Sequence, residues 1–164
     1  MDSASTVPRR ASGSILRAIL IGGLACGVCD YLFAYFYYKK ATLTGIGRSV
    51  ARGVLGTQPS SLDPNFVAAL GVALHFIISL GAATVFVLAS RKFPVLVRYA
   101  VPAGLGYGAV VYFVMTWVVV PASAITVANY PPAVDWGALV GHLFVVGLPI
   151  ALAARWFDPR AVAA

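Results

Sequence analysis

Four apolar runs, at residues 15–38, 66–90, 95–120 and 134–157, fill most of this chain. Each is at least as long as the ~20 residues a helix needs to cross a hydrocarbon core. Lipid offers the backbone no hydrogen bonds, so a spanning segment must be a helix or part of a closed barrel. Barrel strands alternate polar and apolar residues over ~10 positions, and these runs do not alternate. The expected fold is therefore all-α, a polytopic bundle of four transmembrane helices forming a single integral membrane domain over residues 1–164. Charged residues make up 10% of the chain, against about 25% in soluble domains. Too little sequence lies outside the runs to build a second, soluble domain.

The first run has some marks of a leader. Arg9, Arg10 and Arg17 precede or open it, and Gly23-Leu24-Ala25-Cys26 faintly resembles a lipoprotein cleavage box. The run continues past Cys26 through Phe33, Phe36, Tyr37 and Tyr38, too far for the h-region of a signal peptide. It is read as a span, and Arg9-Arg10 lacks the rest of a twin-arginine motif.

The net charge of +7 does not point to nucleic acid. The cations gather at span ends, where they suit anionic headgroups and set orientation. Arg9, Arg10, Arg17, Arg91, Lys92, Arg98, Arg155 and Arg160 fall on one side; Lys39, Lys40, Arg48 and Arg52 fall on the other. This predicts that both termini face the cytoplasm. In the first loop, Leu43, Ile46, Val50 and Val54 recur at helical spacing with Gly47 on the same face. A short amphipathic helix over about 43–56 is expected on the outer surface, as a packing lid ahead of a gate or lipid-binding element. The turn Gln58-Pro59-Ser60-Ser61 ends it, and Asp63 caps the second span.

The first and third spans align without gaps: Gly23-Leu24 with Gly104-Leu105, Gly27 with Gly108, Tyr31 with Tyr112. The second and fourth each carry one histidine, His75 and His142, with Arg91 and Arg155 at the inner ends. Two tandem helical hairpins are expected, as parallel repeats. Stripes of small residues should form the contacts, including Gly22, Cys26 and Asp30 in the first span. The corresponding stripe in the fourth holds Asp135, Ala138, His142, Val145, Pro149 and Ala153. Pro149 should bend that span. Pro102 falls in the first turns of the third span and Pro121 closes it. Tyr37, Tyr38, Trp117 and Trp136 near the outer interface and Trp156 near the inner one read as an aromatic belt.

Asp30, His75 and His142 are the ionisable groups inside spans. They lie 13, 16 and 13 residues from Arg17, Arg91 and Arg155, about 20–24 Å at ~1.5 Å per residue, which places them in one layer. The plainest role is a polar clamp in which Asp30 accepts from a histidine and pins the helices. The functional alternative is a site for a proton or divalent metal, with Asp30, His75, His142 and the Cys26 thiolate as candidate zinc or copper ligands. Two histidines on facing helices could also hold haem iron. Cys26 and Cys29 form a C-x-x-C, a candidate for thiol–disulfide exchange, although cysteine also packs as a small apolar residue.

Gly45-Ile46-Gly47-Arg48, Leu74-His75-Phe76 with Gly81, and the segment from Gly141-His142 to Leu148-Pro149 resemble segments of small four-span bacterial inner-membrane protein families without assigned function. The resemblance implies a plasma-membrane location and no chemistry. The leading expectation is a non-enzymatic accessory or self-associating bundle whose partners are the bilayer and a second copy or another membrane protein. Ion handling through Asp30, His75 and His142 comes second, and a thiol oxidoreductase third.

Overall fold

The computed structural model describes residues 10–39, 41–56, 61–126, 130–158 and 160, with side chains from residue 14 onward. Arg9, the Arg10 side chain, Lys40 and Gln58-Pro59-Ser60 lie outside the described residues. All regular structure among the described residues is helical: α1 (Arg10–Tyr37), α2 (Leu43–Leu55), α3 (Pro64–Lys92), α4 (Val95–Arg98), α5 (Ala100–Ala122) and α6 (Trp136–Trp156). Four of these, α1, α3, α5 and α6, are long and apolar enough to cross a membrane. The chain is a multi-pass membrane bundle.

Caps set the boundaries. Asp63 Oδ1 accepts from the N–H groups of Asn65 (2.9 Å) and Phe66 (3.0 Å), and Pro64 opens α3 where its missing N–H costs nothing. Asp135 caps α6 by accepting from Ala138 N–H at 3.0 Å. Tyr37 donates to the same Asp135 oxygen at 2.6 Å, and that hydrogen bond is the main reason the Asp135 carboxyl is held below the ordinary range.

Prolines account for every departure from regular helix in the second hairpin. The expected third span, 95–120, divides at Tyr99 into α4 and α5. Pro102 has no N–H to give the Arg98 carbonyl four residues back, and Arg155 Nη1 donates to that carbonyl instead at 2.9 Å, and to Val97 O at 3.2 Å. Met115–Val119 and Leu143–Gly147 are π-helical, each ending two residues before a proline, Pro121 and Pro149. In both, the closing N–H reaches back five residues, Val120 to Met115 O and Leu148 to Leu143 O. Tyr130 donates to the Trp117 carbonyl at 3.2 Å, the one that Pro121 cannot reach.

The π turn in α6 corrects the stripe expected from an unbroken period. One extra residue in a turn advances every later position by one. Val145 and Pro149 of the expected stripe give way to Val146 and Ile150, which are 4% and 0% exposed, while Ala153 stays buried at 8% against Gly22, with Ala154 beside it at 1%.

α1 packs between α3 and α6, and α5 packs along α6. α3 and α5 meet through side chains: Tyr107 donates to Ala82 O at 2.7 Å and lies 5.0 Å from the Phe86 ring. Ala18, Cys26, Ala83, Phe86, Val87, Val146, Ile150 and Ala154 belong to the shared core. The two hairpins repeat their contacts. Gly23 faces Leu80 and Gly27 faces Phe76 and Ser79, while Gly104 faces Gly147 and Leu148 and Gly108 faces His142 and Leu143. In the first hairpin glycines meet mostly side chains; in the second they meet backbone, because the π turn of α6 seats between Gly104 and Gly108.

α2 belongs to the first hairpin only and docks on α3. Its contact face is Gly47 and Ala51, both buried, with Gly47 against Ala68 and Gly71. The larger residues of the expected stripe flank this contact: Ile46 and Val50 are half-buried, Leu43 and Val54 exposed. Close backbone approach needs small residues at the crossing, so the contact falls on Gly47, the small member of the expected face, and on Ala51 beside it. Tyr31 in α1 donates to Leu43 O at 2.7 Å and ties down the start of α2.

Candidate intramembrane polar site

The layer inferred from residue counts is one place in the fold. Asp30, His75 and His142, from α1, α3 and α6, line a cavity of about 130 Å³ together with Cys26, Ser79 and Val111. Val50 from α2 and Met115, the first residue of the α5 π turn, also line it. The lid and the π turn thus both border the cavity. A space of this size admits a few waters or a small ion; it is smaller than pockets for drug-sized ligands, ~300 Å³ upward.

Neither histidine is paired with Asp30. His75 Nε2 lies 2.9 Å from Gly27 O, and His142 Nδ1 lies 2.8 Å from Ala138 O, one turn back in its own helix. A carbonyl only accepts, so these ring nitrogens carry the protons. In the neutral ring, His75 Nδ1 and His142 Nε2 then hold the lone pairs. The helix-to-helix clamp exists, but its acceptor is the Gly27 backbone, not the Asp30 carboxylate. Asp30 is half-buried; no hydrogen bond or ion pair joins its side chain to another described residue.

Each histidine is also held by a tyrosine edge. Tyr31 and His75 have ring centroids 5.2 Å apart at 69°, and Tyr112 and His142 lie 5.4 Å apart at 75°. The tyrosine hydroxyls bind backbone at the same end of the bundle. Tyr31 donates to Leu43 O, and Tyr112 accepts from Asp135 N–H at 2.8 Å. Sequence reasoning gave neither tyrosine a role beside a histidine. The signal that could have found them was already there, since Tyr31 and Tyr112 occupy matching positions of the repeat and each hairpin carries one histidine.

Among the described residues, no three His, Cys, Asp or Glu side chains are placed to hold a metal ion. Asp30, His75, His142 and Cys26 share a cavity without forming a coordination sphere, and the cavity is too small for a haem macrocycle. Cys26 is buried and Cys29 exposed, both as free thiols.

A second polar cluster went unread in the sequence. Asp158, 1% exposed, accepts a fork from Arg160, Nε at 3.0 Å and Nη2 at 2.7 Å, and the Arg160 backbone N–H at 2.9 Å. Arg91 Nη1 is 3.7 Å away. Arg160 also donates to Ser90 O and Arg91 O, fastening the segment after α6 to the end of α3. The Arg160 fork is the main reason the Asp158 carboxyl is held below the usual carboxylate range.

No family model, curated protein or solved structure matches this chain.

Proposed function

We propose that this chain is a small multi-pass protein of the bacterial inner membrane whose bundle interior takes up a proton or small cation at Asp30, with His75 and His142 beside it. The observation that carries this reading is that ionisable groups from three helices line one cavity while Asp30 lacks a protein partner among the described residues. A bare carboxylate at this depth is expensive. A proton, or a cation with its waters, removes that cost, and in a neutral ring His75 Nδ1 and His142 Nε2 would be acceptors beside it. The test is proton flux into liposomes containing the purified protein under an imposed membrane potential. Asp30→Asn should slow flux about tenfold or more, the equivalent of ~1.4 kcal/mol in barrier. A wild-type rate no faster than protein-free vesicles would sink the proposal.

The second reading, an accessory or self-associating bundle, is favoured by the His75–Gly27 bond, which joins α3 to α1. On that reading His75→Gln loosens the bundle and leaves ion flux at background.

The side that carries Arg17, Arg91, Lys92, Arg98, Arg155 and Arg160 is the cation-rich one, which supports cytoplasmic termini. A C-terminal fusion should therefore be fluorescent as a cytoplasmic reporter and silent as a periplasmic phosphatase; the reverse pattern inverts the topology.

A further inference from the structure

We infer that the pocket at the terminal end of the bundle binds the phosphate of an anionic phospholipid headgroup. The pocket, about 450 Å³, lies where α4 turns into α5 beside the last turn of α6, and Arg98, Arg155 and Arg160 line it with Val95, Val97 and Tyr99. Two of the three guanidiniums are held in place before any ligand arrives. Arg155 is anchored on Arg98 O, the carbonyl that Pro102 leaves open, and on Val97 O beside it. Arg160 is fixed by Asp158 and by the Ser90 and Arg91 carbonyls. Arg98 lies over the Tyr99 ring, 5.6 Å from its centroid.

The charge there is not balanced by the described acidic side chains. Of the described acidic side chains, Asp63 and Asp135 cap helices at the opposite end, Asp30 lies in the cavity within the spans, and Asp158 is taken up by Arg160 and Arg91. No described acidic side chain pairs with Arg98 or Arg155. Arg91 Nε and Nη2 are buried without a hydrogen-bond partner among the described residues, so donor capacity at this end exceeds the acceptors. Planar guanidinium forks held at fixed positions suit a phosphate.

A free phosphate and a lipid headgroup share that chemistry, and the apolar side of the pocket selects the lipid. Val95 and Tyr99 are 54% and 55% exposed and stand beside the arginines at a span end, where a glycerol backbone and the first acyl carbons would lie. Basic pockets between spans at the membrane surface are the recognised form of such sites. The inference does not depend on the Asp30 cavity.

The test titrates the full-length protein, in neutral detergent, with phosphatidylglycerol, phosphatidylcholine and inorganic phosphate in turn, reading bound lipid by native mass spectrometry and phosphate by calorimetry. Phosphatidylglycerol should bind in preference to phosphatidylcholine. Arg98→Gln should weaken it about fivefold, as for loss of one cation at a lipid surface, and Arg98→Lys should recover most of that. Arg98 is the residue to change because it is exposed and ties no backbone, so the fold survives. Equal binding of the two lipids, or phosphatidylglycerol binding that Arg98→Gln leaves unchanged, overturns the inference. Saturation by inorganic phosphate without lipid preference overturns the lipid source.

Discussion

Gly147→Ala should unseat α5 from α6. A Cβ at Gly147 would run into Gly104 O and sit 2.8 Å from Gly108 Cα. These are backbone atoms and cannot swing away as the end of a side chain could, so the helices must part or the π turn must rewind. Overpacking costs ~1–3 kcal/mol when side chains can adjust; with backbone on both sides, about 3 kcal/mol is expected. Gly106→Ala is the matched control on α5, because a Cβ there meets nothing within 4 Å. The measurement is unfolding by denaturing detergent, followed through the fluorescence of Trp117 and Trp156. Gly147→Ala unfolding together with wild type would mean that these two helices are not packed through their glycines.

Asp158→Asn is the second large effect. The substitution removes the charge that Arg160 and Arg91 share, and leaves guanidinium groups at a buried position. Breaking a fully buried pair costs ~3–5 kcal/mol. The Arg160 side chain is 42% exposed and water screens part of the loss, so about 2 kcal/mol is expected. The sign of the pH dependence follows from the lowered carboxyl. A group with its folded pKa below its unfolded one contributes stability that is fully present above the unfolded value, about 3.9, and is lost as pH falls through the folded value. Wild type and Asp158→Asn should therefore differ by a constant amount near neutral pH and converge below about pH 4. A constant difference down to pH 2–3 would show that the carboxylate charge is not what fastens the C-terminal segment.

These two residues show where the sequence was legible and where it was not. Gly104 and Gly108 were readable as contact glycines because small residues four apart leave a visible stripe. Gly147 was not, since the stripe on its helix was drawn with a single period. Pro149 announced a bend, but only the folded helix shows that the bend takes the form of a π turn shifting the face by one residue. Asp158 carried no periodic signal. Its importance depends on Arg91, 67 residues earlier, reaching the same corner.

The candidate site divides in the same way. The common depth of Asp30, His75 and His142 followed from counting residues along straight helices of known rise, and the cavity they line agrees with it. Their partners could not be counted. A histidine in a span can satisfy its N–H with any carbonyl in reach, and which carbonyl that is depends on how close α1 comes to α3 at Gly27. α2 shows the same limit, because its amphipathic pattern announced a helix while the docking face was decided by the two glycines that let backbones touch.

By itself, then, the amino-acid order determined the solvent, the number of spans, the cap at Asp63, the presence of α2, the pairing into hairpins and the common level of the ionisable groups. All of these depend on residue type and spacing within one segment. Only the tertiary structure decided the π register of α6, the carbonyls taken by His75, His142 and Arg155, and the closing of Asp158 between Arg91 and Arg160. Each of these is a choice among polar partners on different helices. In a bundle with few polar groups, that choice is made by which backbones the glycines bring together and which carbonyls the prolines leave open.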